Sequence, residues 1–563
     1  MHWKIKPKPD ETKVAQLAQS LNVAPLVAYL LVQRGIETFE EARAFFRPDL
    51  NQLHDPYLMK DMDVAVNRIL KAINQKERIL IFGDYDVDGT TGVALLFEFL
   101  QNFTDLITTY IPDRYTEGYG VSYEGIDFAS DNNITLVIAI DCGIKAIDKI
   151  AYAQNKGIDF IICDHHLPGP QLPNAVAILN PKQNDCRYPF KELCGCGVGF
   201  KLIQALARET GLEFSKLLPY LDLVATAIGA DIVPITGENR ILASHGLNVI
   251  NTAPRVGFQA LLETVKKKKL TITDVVFVIA PRINAAGRMK HGEHAVALLT
   301  EKKLECAKQQ AAEIEKFNAE RKETDKQITE EALLQIEENN KDYKFTNVVY
   351  GESWHHGVLG IVASRITETY YRPTVVFTKN GDFLVASARS IRGYDIYQAL
   401  ENCSPFIEQF GGHNFAAGLK ILEKNFISFK NTFEETVSKT IDSHLLTPEI
   451  EIDAVIDFTD ITPKFYRILK QFAPFGPGNR LPVFLTKNIQ DTGGSRPIGK
   501  EHKHLRLMMR QKKSAILSGI GFNLGQKYPL ISNDQLFSAV YSIDENEWNG
   551  QIMLQLRVKD LRN

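Results

Sequence analysis

At 563 residues the chain exceeds what one hydrophobic core supports, and about two to four domains are expected. An apolar content of 44% with 24% charged residues excludes a disordered or fibrous chain, and no uninterrupted apolar run is long enough to cross a bilayer. The net charge of −3 excludes a nucleic-acid binder that works by bulk charge, so the basic residues have to be read locally.

Residues 1–45 read as small helices, with LAQSLNVAPLVAYLLVQRG as an amphipathic pair. The opening MHWKIKPKPDETK is basic but has no apolar core of a secretory signal, so export is not expected. Residues 46–235 read as an α/β domain. Within it, ILIFGDYDVDGTTGVALL predicts a buried strand at Ile79–Phe82 and then a tight turn bearing Asp84, Asp86 and Asp88. Gly89 relieves the backbone, and Thr90 and Thr91 suit the start of a helix. Three carboxylates so close repel one another unless cations or solvent surround them. Oxygen ligands at this density suit Mg²⁺ or Mn²⁺.

The same pattern recurs downstream. TLVIAIDCG places Asp141 after an apolar run, IDFIICDHH places Asp164, His165 and His166 after another, and VATAIGADIVP places Asp231 after a third, looser one. Apolar runs separated by helix-length segments predict a parallel sheet, whose carboxyl edge is where ligands bind. Four acid-bearing strand ends on one edge predict a dinuclear metal site.

Residues 236–300 read as a connecting segment that contains APRINAAGR. Residues 301–342 read as a linker helix, free of Pro and Gly from Glu301 to Asn340. Residues 343–440 form a second α/β unit. Its FGGHNFAAG run has successive glycines whose amides can approach an anion beside His413, with a tight turn as the alternative, and SARS offers Ser387 and Arg389. Residues 448–563 turn to short strands with polar breaks, the pattern of an OB-like β-barrel. Between Arg496 and Lys513 stand seven Lys/Arg and one acid, a basic surface suited to nucleic acid. The run Lys266–Lys269 reads as a solvated loop. The seven cysteines lack zinc-like spacing; Cys194 and Cys196 read as packing residues, and a reducing cytoplasm fits.

GDYDVDGTT, DCG and DHH resemble the successive motifs of the DHH phosphoesterase superfamily. RYTEGYGVS at Arg114–Ser122, APRINAAGR, WHHGVLGIVASRI at Trp354–Ile366, SARSIRGYDI and FGGHNFAAG narrow the resemblance to its RecJ exonuclease family. The resemblance implies two α/β domains, DHH and DHH-associated, joined by a long helix and followed by the OB-like barrel. It implies two Mn²⁺ or Mg²⁺ ions, Asp84 and Asp86 favouring one, Asp88, His165 and Asp231 the other, and Asp141 bridging. His166 is expected beside the ligands or on substrate, and Asp164 as their orienter or as a cap of its turn. Arg282, Arg288, Ser387, Arg389, Gly412, His413 and Tyr115 are expected on the substrate, with Tyr119 as a further base-stacking candidate and Lys503, Arg506 and Arg510 on the barrel. For Arg282 and Arg288 a structural ion pair is an equal alternative.

The implied activity is 5′→3′ exonucleolytic hydrolysis of single-stranded DNA in recombination and repair. The implied partners are single-stranded DNA, single-strand-binding protein and a DNA helicase, and the chain is expected to be a cytoplasmic monomer away from membranes. Two rivals remain: a phosphodiesterase for cyclic dinucleotides or very short RNAs, and a non-catalytic replication scaffold. The barrel argues against the first and the full acid set against the second.

Overall fold

The computed structural model describes residues 1–265, 267–339, 344–531, 535–548 and 551–563. Lys266, and the stretch 340–342 where the linker helix was expected to end, lie outside them. Strands Ile107–Tyr110, Arg78–Gly83, Ile134–Ile140, Asp159–Cys163 and Ala177–Leu179 lie side by side in that order, all parallel. Alternate residues serve two different cores. Ile79, Ile81, Ile138 and Ile140 face one, and Leu80, Phe82, Val137 and Ala139 face the other. A parallel sheet buried on both faces needs such unbroken apolar strands. Because the strands run parallel, the residues that follow Gly83, Ile140 and Cys163 all emerge at one edge.

Two sequence expectations change here, and one feature is new. Leu221–Ala230 is a helix, and Asp231 is its C-terminal cap, not a strand end. Nine of its ten residues are buried, so its apolar run shows no polar face to betray the helical period. Residues 236–300 are no connector: Phe258, Leu261, Ile279, Ala286 and Leu298 lie in the same core as the sheet's inner face. The helices of residues 1–45 pack against the C-terminal barrel, sharing one core through Leu17, Val27, Leu31, Phe465 and Phe472.

The helix Leu304–Asn339 leads to a second, mixed sheet. Its order is Gln409–His413, Ala416–Leu422, Phe383–Arg389, Thr374–Asn380 and Asn347–Gly351, antiparallel except for the last pair. The helix Leu359–Tyr370 packs on one face through Val362, Ile366 and Val376, and Phe426–Thr440 covers the other through Phe429 and Phe433.

In the C-terminal domain, Phe484–Asp491 pairs with His504–Arg510, which pairs with Leu517–Gly521. Leu517–Gly521 runs parallel to Gln551–Arg562, and Phe537–Trp548 pairs with both Gln551–Arg562 and Phe484–Asp491. These pairings close five strands in OB order and leave none of them as an open edge. The strand His2–Ile5 pairs with Glu449–Ile452, and Trp3 Nε1 donates to Asp560 at 2.8 Å. Arg240 of the metal-bearing domain donates to the carbonyls of Phe45, Phe472 and Ala473 at 2.9, 2.9 and 3.0 Å. The chain's two ends are thereby held against its first α/β domain. No helix among the described residues is long and apolar enough to cross a membrane.

Candidate metal centre and interdomain cleft

The three-acid turn is built by two close approaches. A Cβ on Gly89 would lie 2.3 Å from the Asp84 carbonyl, and one on Gly195 would lie 2.6 Å from the Asp141 Cβ. Only glycine lets these backbones meet. Asp84 is fully buried, with Oδ1 accepting from Gly120 N at 3.3 Å. Asp86 caps the helix Val87–Leu100 by accepting from Gly89 N at 3.1 Å. Asp88 accepts from Gly195 N and Cys196 N at 2.6 and 2.8 Å, where the helix Gly195–Glu209 begins. A helix start favours negative charge. Cys194 Sγ caps that same helix from Gly197 N at 3.4 Å, a packing role.

Asp141 sits in the left-handed region at φ 61°. Asp164 accepts from the amides of His165 and His166 at 2.7 and 3.1 Å, from His166 Nδ1 at 2.7 Å, and from Ile144 N at 3.0 Å. It therefore both caps its turn and orients the His pair. Burial pushes Asp164 up, but His166 and these amides outweigh it and hold it at about 2. Burial lowers His166, but Asp164 prevails and raises it to about 9. Burial and the His166 charge hold His165 down to about 3, so its imidazole is neutral.

His165 Nε2 lies 3.2 Å from Asp141 Oδ1, 3.6 Å from Asp231 Oδ2 and 3.7 Å from Asp88 Oδ2. Two ligand sets result among the described residues, Asp88–His165–Asp231 and Asp141–His165–His166, each with its ligand atoms within 4.8 Å of one another. Burial pushes Asp84 well up, seconded by Asp86; burial and then Asp88 do the same to Asp141 and Asp231. Asp231 also stands at the negative end of its helix. Asp84 Oδ2, Asp141 Oδ1 and both ring nitrogens of His165 are buried without a hydrogen-bond partner. Buried carboxylates and an unpaired neutral imidazole turned on one point fit hard divalent cations and little else. His166 is half-exposed, with Nε2 3.3 Å from the Tyr119 hydroxyl.

At the junction with the second domain lies a second cluster. Arg288 donates to the Gly357 carbonyl at 2.9 Å, and Tyr115 donates its hydroxyl to the Arg288 carbonyl. The Tyr115 ring stands edge-on to His355 and His356, so Tyr115 bridges the two domains. Burial, then the charges of Arg114, Arg389 and Arg321, push Arg288 down to about 9. Arg389 donates to Ser387 Oγ at 3.1 Å, and a Cβ on Gly360 would lie 2.6 Å from its Nη2. Ala416, beside the Gly412–His413 hairpin, pairs with Arg389 in the sheet. Gly411 and Gly412 lie on the edge strand, so alternate amides point away from the sheet.

Arg282 takes up the ion-pair alternative: its Nε pairs with Glu315 of the linker helix at 2.6 Å and its Nη1 donates to the Val278 carbonyl. Arg114 was missed as a site residue, although it stands inside RYTEGYGVS. Its guanidinium lies 4.3 Å over the Tyr85 ring, between the two clusters. On the barrel, Arg506 and Arg510 alternate with buried Leu505, Leu507 and Met509, and Arg506 lies opposite Arg496 and Ile520. Exposed Phe522 lies within 5.5 Å of Arg557 and within 5.4 Å of His504. Exposed Lys503 precedes this strand, so aromatic and cationic groups share one face.

Three family models match: the DHH family N-terminal domain over residues 78–228, the DHHA1 domain over 342–439, and the RecJ OB domain over 452–560. The single-stranded-DNA-specific exonuclease RecJ of Haemophilus influenzae is 33% identical, across 96% of this chain and 97% of that protein. The chain belongs to the RecJ family. The RecJ of Bacillus subtilis is 37% identical, over 100% of this chain and 70% of its own length. The crystal structure of Thermus thermophilus RecJ in complex with Mn²⁺ superposes with a TM-score of 0.86 at 27% identity, covering 100% of this chain and 79% of that one. A manganese-bound exonuclease RecJ gives a TM-score of 0.61 at 32% identity, over 70% of this chain and 97% of that one. All three models thus match within this chain, each over elements described above.

Proposed function

We propose that this protein is a metal-dependent exonuclease that hydrolyses single-stranded DNA from its 5′ end, in recombination and repair. The observation that carries the reading is the pairing of two unlike groups at the domain junction: buried carboxylates with unpaired oxygens, and Arg288 and Arg389, which have no acid partner among the described residues. Asp84 and Asp86 would hold one divalent ion, Asp88, His165 and Asp231 the second, with Asp141 shared between them. Two such ions, Mn²⁺ or Mg²⁺, supply charge neutralisation at phosphorus and an activated water.

The chain's own residues do the rest. Asp164 fixes the His166 ring and keeps it charged, so the ring can donate to an oxygen of the scissile phosphate. Arg288 and Arg389, with Ser387 and the Gly412–His413 edge, bind the phosphate at the strand's end. Tyr119 and the barrel face around Phe522 and Arg506 support the bases and backbone behind it. The site is complete within one chain, which favours a monomer. A helicase and single-strand-binding protein would supply and keep the unpaired strand. The seven free cysteines suit a reducing cytoplasm.

The test is a time course on a hairpin with a 5′ overhang, a 3′ overhang or blunt ends, labelled at either end. The 5′ overhang will be trimmed and digestion will stall at the duplex, since unpairing costs about 1.4 kcal/mol per base-pair step. Efficient digestion of the blunt hairpin, or trimming of the 3′ overhang alone, would refute the reading.

The barrel face makes a separate prediction. Charge reversal at Lys503, Arg506 and Arg510 will weaken long single-strand binding and flatten its salt dependence, by about 0.7 in log–log slope for each phosphate that is no longer neutralised. Dinucleotide cleavage, which does not reach the barrel, will hold. Unchanged binding in a salt titration would mark the run as solvated surface only.

A further inference from the structure

Two acids of the candidate metal set ride on neighbouring helices. Asp88 stands at the start of the helix Val87–Leu100, and Asp231 caps the end of Leu221–Ala230. Their carboxylates come together with His165, so the start of one helix meets the end of the other. Glu98 lies ten residues beyond Asp88, about 15 Å along its helix, and Asp222 lies nine residues before Asp231, about 14 Å along its own. Both acids bind the same guanidinium, at the far end of the pair from the candidate metal set. The two helices therefore run antiparallel and are joined at both ends.

That guanidinium belongs to Arg255, which precedes the helix Val256–Leu262. Its Nη1 donates to Glu98 Oε2 at 3.0 Å, and its Nη2 donates to Asp222 Oδ1 at 2.8 Å. Its Nε donates to both Asp222 oxygens at 3.1 and 3.0 Å, and its backbone amide donates to Asp222 Oδ2 at 3.2 Å. Nη1 also reaches the Leu299 carbonyl at 2.8 Å. Lys302, just before the linker helix Leu304–Asn339, pairs with the other Glu98 oxygen. The side chains of Arg255, Glu98 and Asp222 are only 9%, 7% and 1% exposed. A buried ion triad carries a desolvation cost that an apolar contact avoids. What it adds is geometry, because a planar fork of donors holds two carboxylates at one spacing.

We propose that Arg255 is a positioning residue for the metal centre: its guanidinium fixes one end of this antiparallel helix pair and thereby the distance between Asp88 and Asp231 at the other. The pair works as a ladder with two cationic rungs, a guanidinium supplied by the chain and a divalent ion bound from solution. Asp88 is held by the Gly195 and Cys196 amides as well. Asp231 ends its helix, and Ile232 after it stands in the left-handed region at φ 60°, which a β-branched residue rarely adopts. Such a turn persists only where its surroundings hold it, and the helix anchored by Asp222 is that support. The inference rests on the reading of Asp88, His165 and Asp231 as ligands of one ion. Mg²⁺ demands near-ideal octahedral geometry and the larger Mn²⁺ is less exacting, so a loosened spacing weakens Mg²⁺ more.

The experiment titrates the metal-free full chain with Mn²⁺ and with Mg²⁺ by calorimetry and records the thermal midpoint in EDTA. Arg255→Lys and Glu98→Gln are compared with the parent and with Ile69→Ala, which opens a cavity in the same core from the helix Met62–Asn74, outside the triad. Arg255→Lys keeps the charge but cannot fork to both acids. Glu98→Gln keeps the shape and removes one charge, so the test survives if Arg255→Lys fails to fold. Both variants should weaken Mn²⁺ binding about tenfold and Mg²⁺ binding by up to about a hundredfold, widening the preference for Mn²⁺. Ile69→Ala should lower the midpoint while both dissociation constants stay within about threefold of the parent's. Constants for the two triad variants within that same range, an unwidened preference, or an equal loss in Ile69→Ala would each overturn the proposal. A parent that binds neither ion would instead sink the metal reading beneath it.

Discussion

An Asp88→Ala chain will lose phosphodiester hydrolysis by at least about a thousandfold, equivalent to about 4 kcal/mol of transition-state stabilisation. Asp88 stands in the candidate ligand set with His165 and Asp231, so its loss removes one oxygen ligand from that set. Its effect on stability has two opposed parts. Burial, then the charge of Asp86, pushes Asp88 up to about 6, so removing the carboxylate relieves repulsion in the metal-free protein. The same carboxylate satisfies Gly195 N and Cys196 N, and leaving such buried amides unpaired costs about 1–3 kcal/mol each. Asp88→Ala will therefore unfold somewhat earlier than the parent. Asp88→Asn, which keeps an acceptor for one amide, will be nearly as stable and equally inactive. Activity of either variant within a few-fold of the parent, measured on a labelled single strand, would remove Asp88 from the metal centre.

Divalent ions will stabilise the protein, and the gain will grow with pH. Asp88, Asp84, Asp141 and Asp231 are all raised from the ordinary carboxylate value of 3.8. A raised value in the folded chain means that the folded chain binds protons more tightly than the unfolded one. The stability it contributes is complete below pH 3.8 and is lost as pH climbs, through about 6 for Asp88 and on through the raised values of the other three. A cation bound by the deprotonated cluster removes that loss. At a hundredfold excess over its dissociation constant, each ion contributes about 2.7 kcal/mol. Thermal midpoints in EDTA and in Mn²⁺ will therefore diverge between about pH 5 and about pH 8. A constant gap, or none, would show that the carboxylates are not held together by metal.

Much of this site was legible in the chain itself. Asp84, Asp141, Asp164 and His165 directly follow or closely trail apolar strands, and a parallel sheet delivers such residues to one edge whatever the loops do. The barrel was legible from alternation: Leu505, Leu507 and Met509 go inward and Arg506 and Arg510 outward because the strand period is two.

Asp231 was legible as a candidate ligand but not as a helix cap, because a helix buried on nearly every side hides its period. Arg282 and Arg288 look alike in APRINAAGR, yet one meets Glu315 and the other crosses to Gly357. No local rule separates them, since the choice is made by elements tens of residues away. The same holds for Glu98, Asp222 and Arg255. They stand on segments far apart in the chain, and only the packing of the helices closes them into one buried triad. The sequence by itself determined the elements, the carboxylate edge and the chemistry of a divalent metal centre, because period, turn residues and charge density are local properties. The tertiary structure decided which arginines face the cleft, which acids fasten them and where the chain's first residues dock. Those outcomes are long-range pairings, set by shape and charge balance between distant segments.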